Sequence, residues 1–582
     1  MLRIANCSGF YGDRLTGLSE VLNDGPVDVV TGDYLAELTM LILFRSRLKD
    51  PTKGYASTFL RQLEGVLGTV VDRGTQVVVN AGGLAPEACA DAVRALADRL
   101  GLAVPVAHVE GDDLLPRVPG LDLPHLDTGE LLGDRQPLTA NAYLGAWGIA
   151  RALQAGAQVV VTGRVTDASL VVGPAAARFG WARDDWDSLA GAVVAGHVIE
   201  CGTQATGGNY AFWQEEVTQP LRMGFPVAEV HEDGSCVITK HPGTGGAVTT
   251  GTVTAQLLYE IAGPLYAGPD VVADFSTIRL SDDGPDRVRI SGVRGGAPSG
   301  QVKVALNLIG GHRNRMEFVL TGLDVEAKAE LALAGLRDAL PTEPAVLKSD
   351  LVRLDRPDAA TNQQAAALLR VTVKDPSPDV VGRAFSSAAV ELALASYPGF
   401  TLTSPPGSAT PYGVYWPALV PAEVVEHVVV HHDGAREVVP HTPPATPGPE
   451  SGEDQSETSP AGPAPTPVVD GATRRVPLGT VVGARSGDKG GNANVGFWAR
   501  TDEAAAWLLS WLDERAFRAL LPEADALEVT LHPLPNLRAV NVVVHGLLEE
   551  GVAASTRFDP QAKGLGEYLR SRYVDVPESL LS

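Results

Sequence analysis

Gln76-Val77-Val78-Val79-Asn80-Ala81-Gly82-Gly83-Leu84-Ala85-Pro86 is the stretch from which the fold can be read. A short β-branched run ends in an amide and two glycines, and Pro86 then opens a run of good helix formers that stops at Gly101. Proline costs nothing in a first helical turn, where its N–H would be unpaired, and glycine suits the position just past a helix end. A strand that passes through a glycine turn into a helix is the unit of a sheet with crossover helices. The unit recurs on both sides. Strands are expected at 2–6, 27–31, 76–80, 104–109 and 158–162, and helices at 36–49, 56–72, 86–100 and 141–154. The N-terminal part is therefore α/β with a mainly parallel sheet, doubly wound or barrel-like.

A chain of 582 residues exceeds one hydrophobic core, since cores stop growing at roughly 250 to 300 residues. From about Asp187 the pattern loosens into glycine-rich turns and β-rich stretches, at 237–240, 271–279, 287–291 and 301–308. Residues 441–470 are rich in Pro, Thr, Ser, Glu and Gly with hardly a large apolar side chain. Such a segment cannot bury enough surface to offset its ordering entropy and reads as a flexible linker. Beyond it, strands near 476–484, 494–499, 527–531 and 539–544 alternate with helices at 502–512, 514–521 and 562–572, a small α+β sandwich. The expected division is 1–440, a linker at 441–470, and 471–582.

Asp and Glu number 70 against 46 Lys and Arg, a formal charge of −24. Such a surface repels phosphate backbones and anionic lipid, so neither nucleic acid nor membrane is expected as a partner. The first residues carry no secretory apolar run, and no stretch suits a bilayer span. Cys7, Cys89, Cys201 and Cys236 lie far apart, without the paired spacing of a zinc or redox motif. A soluble cytoplasmic protein with reduced thiols is expected.

The densest polar cluster is Ala484-Arg485-Ser486-Gly487-Asp488-Lys489-Gly490-Gly491-Asn492-Ala493-Asn494, read as a loop between two strands. Its glycines free backbone N–H groups to turn outward, and its two cations suit a carboxylate or phosphate. It lacks the Gly-Lys-Ser/Thr ending of a phosphate-binding loop, and a long hairpin turn with solvated charges remains the alternative. Five N-terminal strand ends are also small and polar: 8–14, Thr31-Gly32-Asp33-Tyr34-Leu35-Ala36-Glu37, Asn80-Ala81-Gly82-Gly83, Glu110-Gly111-Asp112-Asp113 and Thr162-Gly163-Arg164-Val165-Thr166-Asp167. If the strands are parallel these ends meet on one edge, where open α/β sheets place ligands. Cys201 near His197 suggests a thiolate nucleophile or, more simply, a buried structural thiol. Lys240-His241-Pro242-Gly243-Thr244-Gly245-Gly246 fits a backbone approach to a ligand or a mobile flap. His427, His431 and His432 look like a strand entering a turn, so no metal site is expected, and the dinucleotide fingerprint is missing.

The motifs Gly9-x-x-Gly12-Asp13, 31–37, 80–83, 162–167, Pro242-Gly243-Thr244-Gly245-Gly246 and Arg485-Ser486-Gly487-Asp488-Lys489-Gly490 together resemble the acyclic terpene utilization AtuA family, formerly a domain of unknown function, over nearly the whole chain. The resemblance implies a large AtuA domain followed by a small ferredoxin-like domain that carries the Arg485–Gly490 motif. It also implies a place in the breakdown of citronellol- and geraniol-type terpenes through branched acyl-CoA intermediates.

The first functional expectation is an enzyme acting on a branched acyl-CoA or carboxylate, of hydratase, lyase or hydrolase type, with CoA entering as part of the substrate. Asp488, Lys489 and Asp33 are the candidate catalytic residues. Arg485, Ser486, Asn492, Asn494, Arg164, Asp167, Gly82, Gly83, Thr244 and Gly245 are the candidate substrate-binding residues. The second expectation is a non-catalytic binding or assembly partner of an acyl-CoA carboxylase or hydratase. Self-association and association with acyl-CoA enzymes both stay open.

Overall fold

The structure is a computed structural model that describes residues 1–444 and 471–581. Five parallel strands form the middle of an eleven-stranded sheet: β1 (Leu2–Asn6), β2 (Val29–Gly32), β3 (Gln76–Val79), β4 (Val106–Glu110) and, after the separate strand β5 (Thr139–Ala142), β6 (Val159–Thr162). Their order across the sheet is β1, β2, β3, β6, β4, every neighbouring pair parallel. Antiparallel strands extend both edges. β7 (Pro226–Val230) pairs with β1 and β8 (Cys236–Lys240) follows it, while Val428–Val430 pairs with β4.

Both faces are covered, as near-continuous Val and Ile runs require. On one face Ala5, Val30, Val77, Val79 and Val161 share a core with the helices Gly17–Asp24, Ser57–Glu64, Leu67–Arg73 and Pro86–Leu100. The alternate side chains Ile4, Val29, Val78 and Val160 are equally buried. Helices Trp147–Gln154, Ser169–Phe179 and Trp186–Ile199 pack against the sheet with them. The sheet is thus doubly wound.

Two local expectations change. The helix expected at 56–72 is two helices separated by Gly65 and Val66. The helix expected at 141–154 begins only at Trp147, because residues 139–142 are drawn into β5 by pairing with Val304–Asn307. Partners so distant in the chain leave no mark on local periodicity.

The described residues form two compact units: Met1–Asn307 with Tyr415–Val552 and Gln561–Ser582, and Leu308–Val414 with Ala553–Pro560. The second unit is an antiparallel sheet built on Ala366–Asp375, with helices Val325–Ala339 and Phe385–Glu391 enclosing Phe318, Leu336, Val371 and Phe385. The first unit includes the C-terminal sandwich, a four-stranded antiparallel sheet in the order Val482–Lys489, Asn492–Ala499, Ala539–Val544, Val529–Leu534. One face of that sheet buries Val482, Val495, Phe497, Val540 and Val542 against helices Asp502–Trp511, Glu514–Leu520 and Leu565–Ser571.

The segment expected to be a loop from Arg485 to Asn494 is not one. It is the tip of a hairpin, in register from Val482↔Ala499 to Lys489↔Asn492, that turns on Gly490 and Gly491 alone. The linker expected at 441–470 lies, from residue 445 on, outside the described residues. Residues ahead of it pack on the large domain, where Trp147 Nε1 donates to Thr442 Oγ1 at 3.0 Å. No helix among the described residues is long and apolar enough to cross a membrane.

Candidate functional site

Because β1, β2, β3, β4 and β6 run parallel, their C-terminal ends share one edge, and buried amides fasten those ends together. Asn6 at the end of β1 donates to the carbonyls of Ile199 and Glu200, at 2.8 and 2.7 Å. Asn80 after β3 donates to Asp33 Oδ1 at 2.6 Å and accepts from Tyr34 N at 2.7 Å. Asp112 after β4 accepts from Arg164 N and from Asn141, at 2.9 and 2.8 Å. A buried polar group is costly unless paired, so these contacts specify one arrangement of the edge.

Asp112 carries a measurable consequence. Burial pushes its carboxyl up to about 7 against the hydrogen bonds from Arg164 and Asn141. The folded chain therefore holds a proton there at pH values where the unfolded chain, titrating near 3.9, has released it. The stability contribution is full below about pH 4 and is lost as pH rises to about 7. Asp112→Asn is expected to flatten the decline of the urea midpoint across that window. An unchanged pH profile would show that Asp112 is ionised throughout.

Arg164 is the hub of the edge. Its side chain is 5% exposed, and its guanidinium meets Asp167 Oδ1 at 2.6 Å and Leu35 O at 3.4 Å and lies 4.2 Å over the Tyr143 ring. Burial opposes the charge, but Asp167, Tyr143, Asp33 and Glu37 secure it. Tyr143 in turn donates to Glu37 Oε1 at 3.3 Å. Lys303 Nζ sits 4.0 Å from the same oxygen and over the Tyr143 and Tyr415 rings. Burial works against the Glu37 carboxylate, yet Lys303, Arg164 and Lys489 outweigh it and hold the carboxyl below its usual range.

Across from this edge stands the hairpin. Successive strand residues point to opposite faces, so Arg485, Gly487 and Lys489 share the face that lies on residues 258–261 of the large domain. The approach is close. A Cβ on Gly487 would lie 2.6 Å from the Tyr259 ring, and one on Gly496 would lie 2.3 Å from Leu258 Cβ. Asn494 accepts from Glu260 N at 2.7 Å and donates to Asn541, which donates to Ile261 O at 3.3 Å. Lys489 Nζ donates to Glu260 O at 2.8 Å, and Lys563 Nζ reaches Glu260 Oε1 at 2.9 Å and Asp488 Oδ1 at 3.4 Å.

The result is a pit in which acids and cations from both domains act on one another. Burial and Asp167 raise Asp33 well above its usual range, offset only in part by Arg164 and Asn80. Burial, Asp167 and Glu260 do the same to Glu200. Burial and Glu260 push Asp488 up to about 7. Water still reaches the walls, with Glu37 and Lys303 each 32% exposed, Asp167 27% and Asp488 15%. Beside the pit a cleft of about 440 Å³ is lined by Gln204, Asn209, Tyr210, Trp213, Arg485, Ser486 and Lys563, among others. Lys563 thus borders both spaces.

Of the residues singled out from sequence, Asp33, Arg164, Asp167, Asp488 and Lys489 are brought into this charge cluster. Arg485 faces the cleft with committed donors: Asn209 O at 3.0 Å, Gln204 Oε1, and the Tyr259 ring beneath. Ser486 accepts from Gly566 N at 2.7 Å, and Asn492 bonds Gly546 N and Asp127. These two, with Asn494, hold structure together.

Gly82 and Gly83 belong to the turn after β3. A Cβ at Gly82 would strike Thr162 O at 2.4 Å, and Gly83 has φ +53°. Thr244 and Gly245 bond to His241, Lys240, Arg222 and Gly224 instead of facing the pit.

The environment of Cys201 opposes a thiolate, since burial, Glu200 and Glu260 all raise it well above its usual range. His197 bonds Glu200 at 3.1 Å and is pushed down to about 4, chiefly by burial and then by Lys489. No group of three or more His, Cys, Asp or Glu among the described residues is arranged to hold a metal.

Glu37 and Asn80 lay inside the quoted strand-end motifs without being singled out. Glu200, which caps the helix Trp186–Ile199, and Lys303, Glu260, Tyr143 and Lys563 lay outside them. The first two follow strand ends, a signal that local reading carries. The others arrive through helix packing, β5 pairing and domain docking, which it does not.

Fold and site define a two-domain α/β protein with a charge-lined site at the C-terminal edge of a doubly wound sheet, completed by the hairpin of a small α+β domain. A family model for the acyclic terpene utilisation family protein AtuA matches residues 2–431, and a model for the AtuA ferredoxin-like domain matches residues 476–575. The chain belongs to the acyclic terpene utilisation family AtuA, and with that membership goes a role in acyclic terpene utilisation. No curated protein and no solved structure matches the chain.

Proposed function

We propose that the protein is an enzyme performing acid–base chemistry on a branched acyl-CoA or carboxylate derived from an acyclic terpene, a hydration, lyase or hydrolytic step. The observation that supports this most is the divergence of titratable groups within one water-touched pit. Asp33 and Glu200 are biased toward the protonated form and Glu37 toward the ionised one, while Asp488 titrates near neutrality. Environments that push such groups apart supply an acid and a base at the same pH. In this reading Asp33 donates a proton, Asp488 exchanges one with substrate, and Arg164, set by Asp167, receives developing negative charge. Arg485 and Ser486 form the wall along which an anionic tail enters.

The test is turnover by the full purified chain on a panel of branched acyl-CoA thioesters and free acids, with products read by mass. Asp33→Asn and Asp488→Asn are each expected to lower the rate by about 100-fold or more, the usual worth of a positioned acid or base. A wild-type chain that turns over nothing and retains no ligand, yet captures an acyl-CoA enzyme in stoichiometric amount, would replace the enzyme reading with that of an assembly partner.

A further inference from the structure

Three lysines converge on the pit, and they are not equivalent. Lys303 lies against the Glu37 carboxylate and two tyrosine rings. Lys563 lies against the Glu260 and Asp488 carboxylates. The hydrogen bond of Lys489 goes instead to a neutral acceptor, the main-chain carbonyl of Glu260 at 2.8 Å, and Tyr266 stands 5.7 Å from Nζ. Lys489 also ends a rigid hairpin strand, backed by pairing with Asn492, so its side chain is delivered into the pit at a defined depth. It is half-buried, not sealed.

We propose that Lys489 is an amine nucleophile that condenses with an aldehyde or ketone carbonyl, which makes the substrate a branched oxo acid or branched aldehyde. This rests on the reading of the pit as an active site and names its substrate class. The Nζ lone pair forms the bond to the carbonyl carbon, and the carbonyl π pair moves to oxygen, which takes a proton from the Glu200 carboxyl. Glu200 regains its proton from the nitrogen, the second amine hydrogen passes to the hydroxyl, and that oxygen leaves as water to give the imine. No oxidant or reductant is consumed, and the carboxylates Glu37 and Glu260 are at hand to carry the protons.

The electrostatics run the same way. Burial and then Lys303 push the Lys489 ammonium below its usual range, and Glu260, Glu37 and Glu200 only partly offset them. Lys303 and Lys563 are pulled above theirs by their own partners in spite of burial. An amine desolvated beside a second cation is the arrangement that keeps nitrogen neutral and reactive.

The experiment is reductive trapping on the full chain with sodium borohydride and, separately, 4-methyl-2-oxopentanoate and 3-methylbutanal at limiting concentration. Tandem mass spectrometry is expected to place one reduced adduct at Lys489 and to find it gone in Lys489→Arg. In Lys303→Met the loss of the neighbouring cation should slow labelling at Lys489 roughly tenfold at neutral pH, one pKa unit being tenfold in the neutral fraction. Absence of an adduct at Lys489 with both probes overturns the inference, as does an adduct spread evenly over surface lysines. Turnover of thioesters by wild type and by Lys489→Arg alike would overturn it while leaving the acid–base reading intact. Inactive wild-type protein that still labels Lys489 would support the inference and count against the thioester panel.

Discussion

Arg164→Met is expected to destabilise the protein by about 3 to 5 kcal/mol, the cost of breaking a buried ion pair from one side, and to abolish turnover. The physical reason is the company the guanidinium keeps. Removing it leaves Asp167 without its ion-pair partner and takes a stabilising positive charge away from Asp33 and Glu37. Methionine fills much of the volume, so the loss is electrostatic more than steric. Urea unfolding followed by circular dichroism measures the stability, and the thioester panel measures the rate. A midpoint shift worth less than about 1 kcal/mol, the value of an exposed pair, would mean that solvent screens the cluster and that Arg164 is no hub. Arg164→Lys should recover part of the stability and little of the rate, because an ammonium cannot reproduce the planar contact with Asp167 and the Tyr143 face.

Gly487→Val is expected to push the small domain off its seat. Its first added carbon would lie 2.6 Å from the Tyr259 ring and 3.1 Å from Glu260 Cγ, with the Glu260 N–H donating to the Asn494 side-chain oxygen alongside. Overpacking of this kind costs about 1 to 3 kcal/mol. Here it falls on the contact that brings Asp488 and Lys489 to the strand-end carboxylates. Turnover should fall at least tenfold, and amide exchange at Glu260, whose N–H is held by Asn494, should quicken. Gly68→Ala is the control: it sits in a helix with open space around it and should stabilise by about 0.5 to 1 kcal/mol. Unchanged exchange at Glu260 in Gly487→Val would show that the close approach is not what seats the hairpin.

How far the site was legible follows from where each residue sits. Asp33, Arg164 and Asp167 follow strands whose β-branched runs are locally plain, so once the strands are taken as parallel their meeting is required. Asp488 and Lys489 stood out by density of charge and glycine, but their place on a hairpin strand did not, because Gly487 reads as a turn residue. It serves instead to let the sheet face lie close against Tyr259. Ser486, Asn492 and Asn494, chosen for polarity, have their polar atoms engaged in structure.

Strand and helix periodicity and contiguous motifs were enough for the α/β class with its mainly parallel sheet, the small α+β domain and the family, while the choice between a doubly wound sheet and a barrel waited for the strand order. Only the tertiary structure decided that Lys303, Glu260, Lys563 and Tyr143 belong to the same pit as Asp33. Each is brought there by pairing or docking between segments far apart in the chain, and such contacts are settled by side-chain complementarity across the whole fold, which no local pattern records.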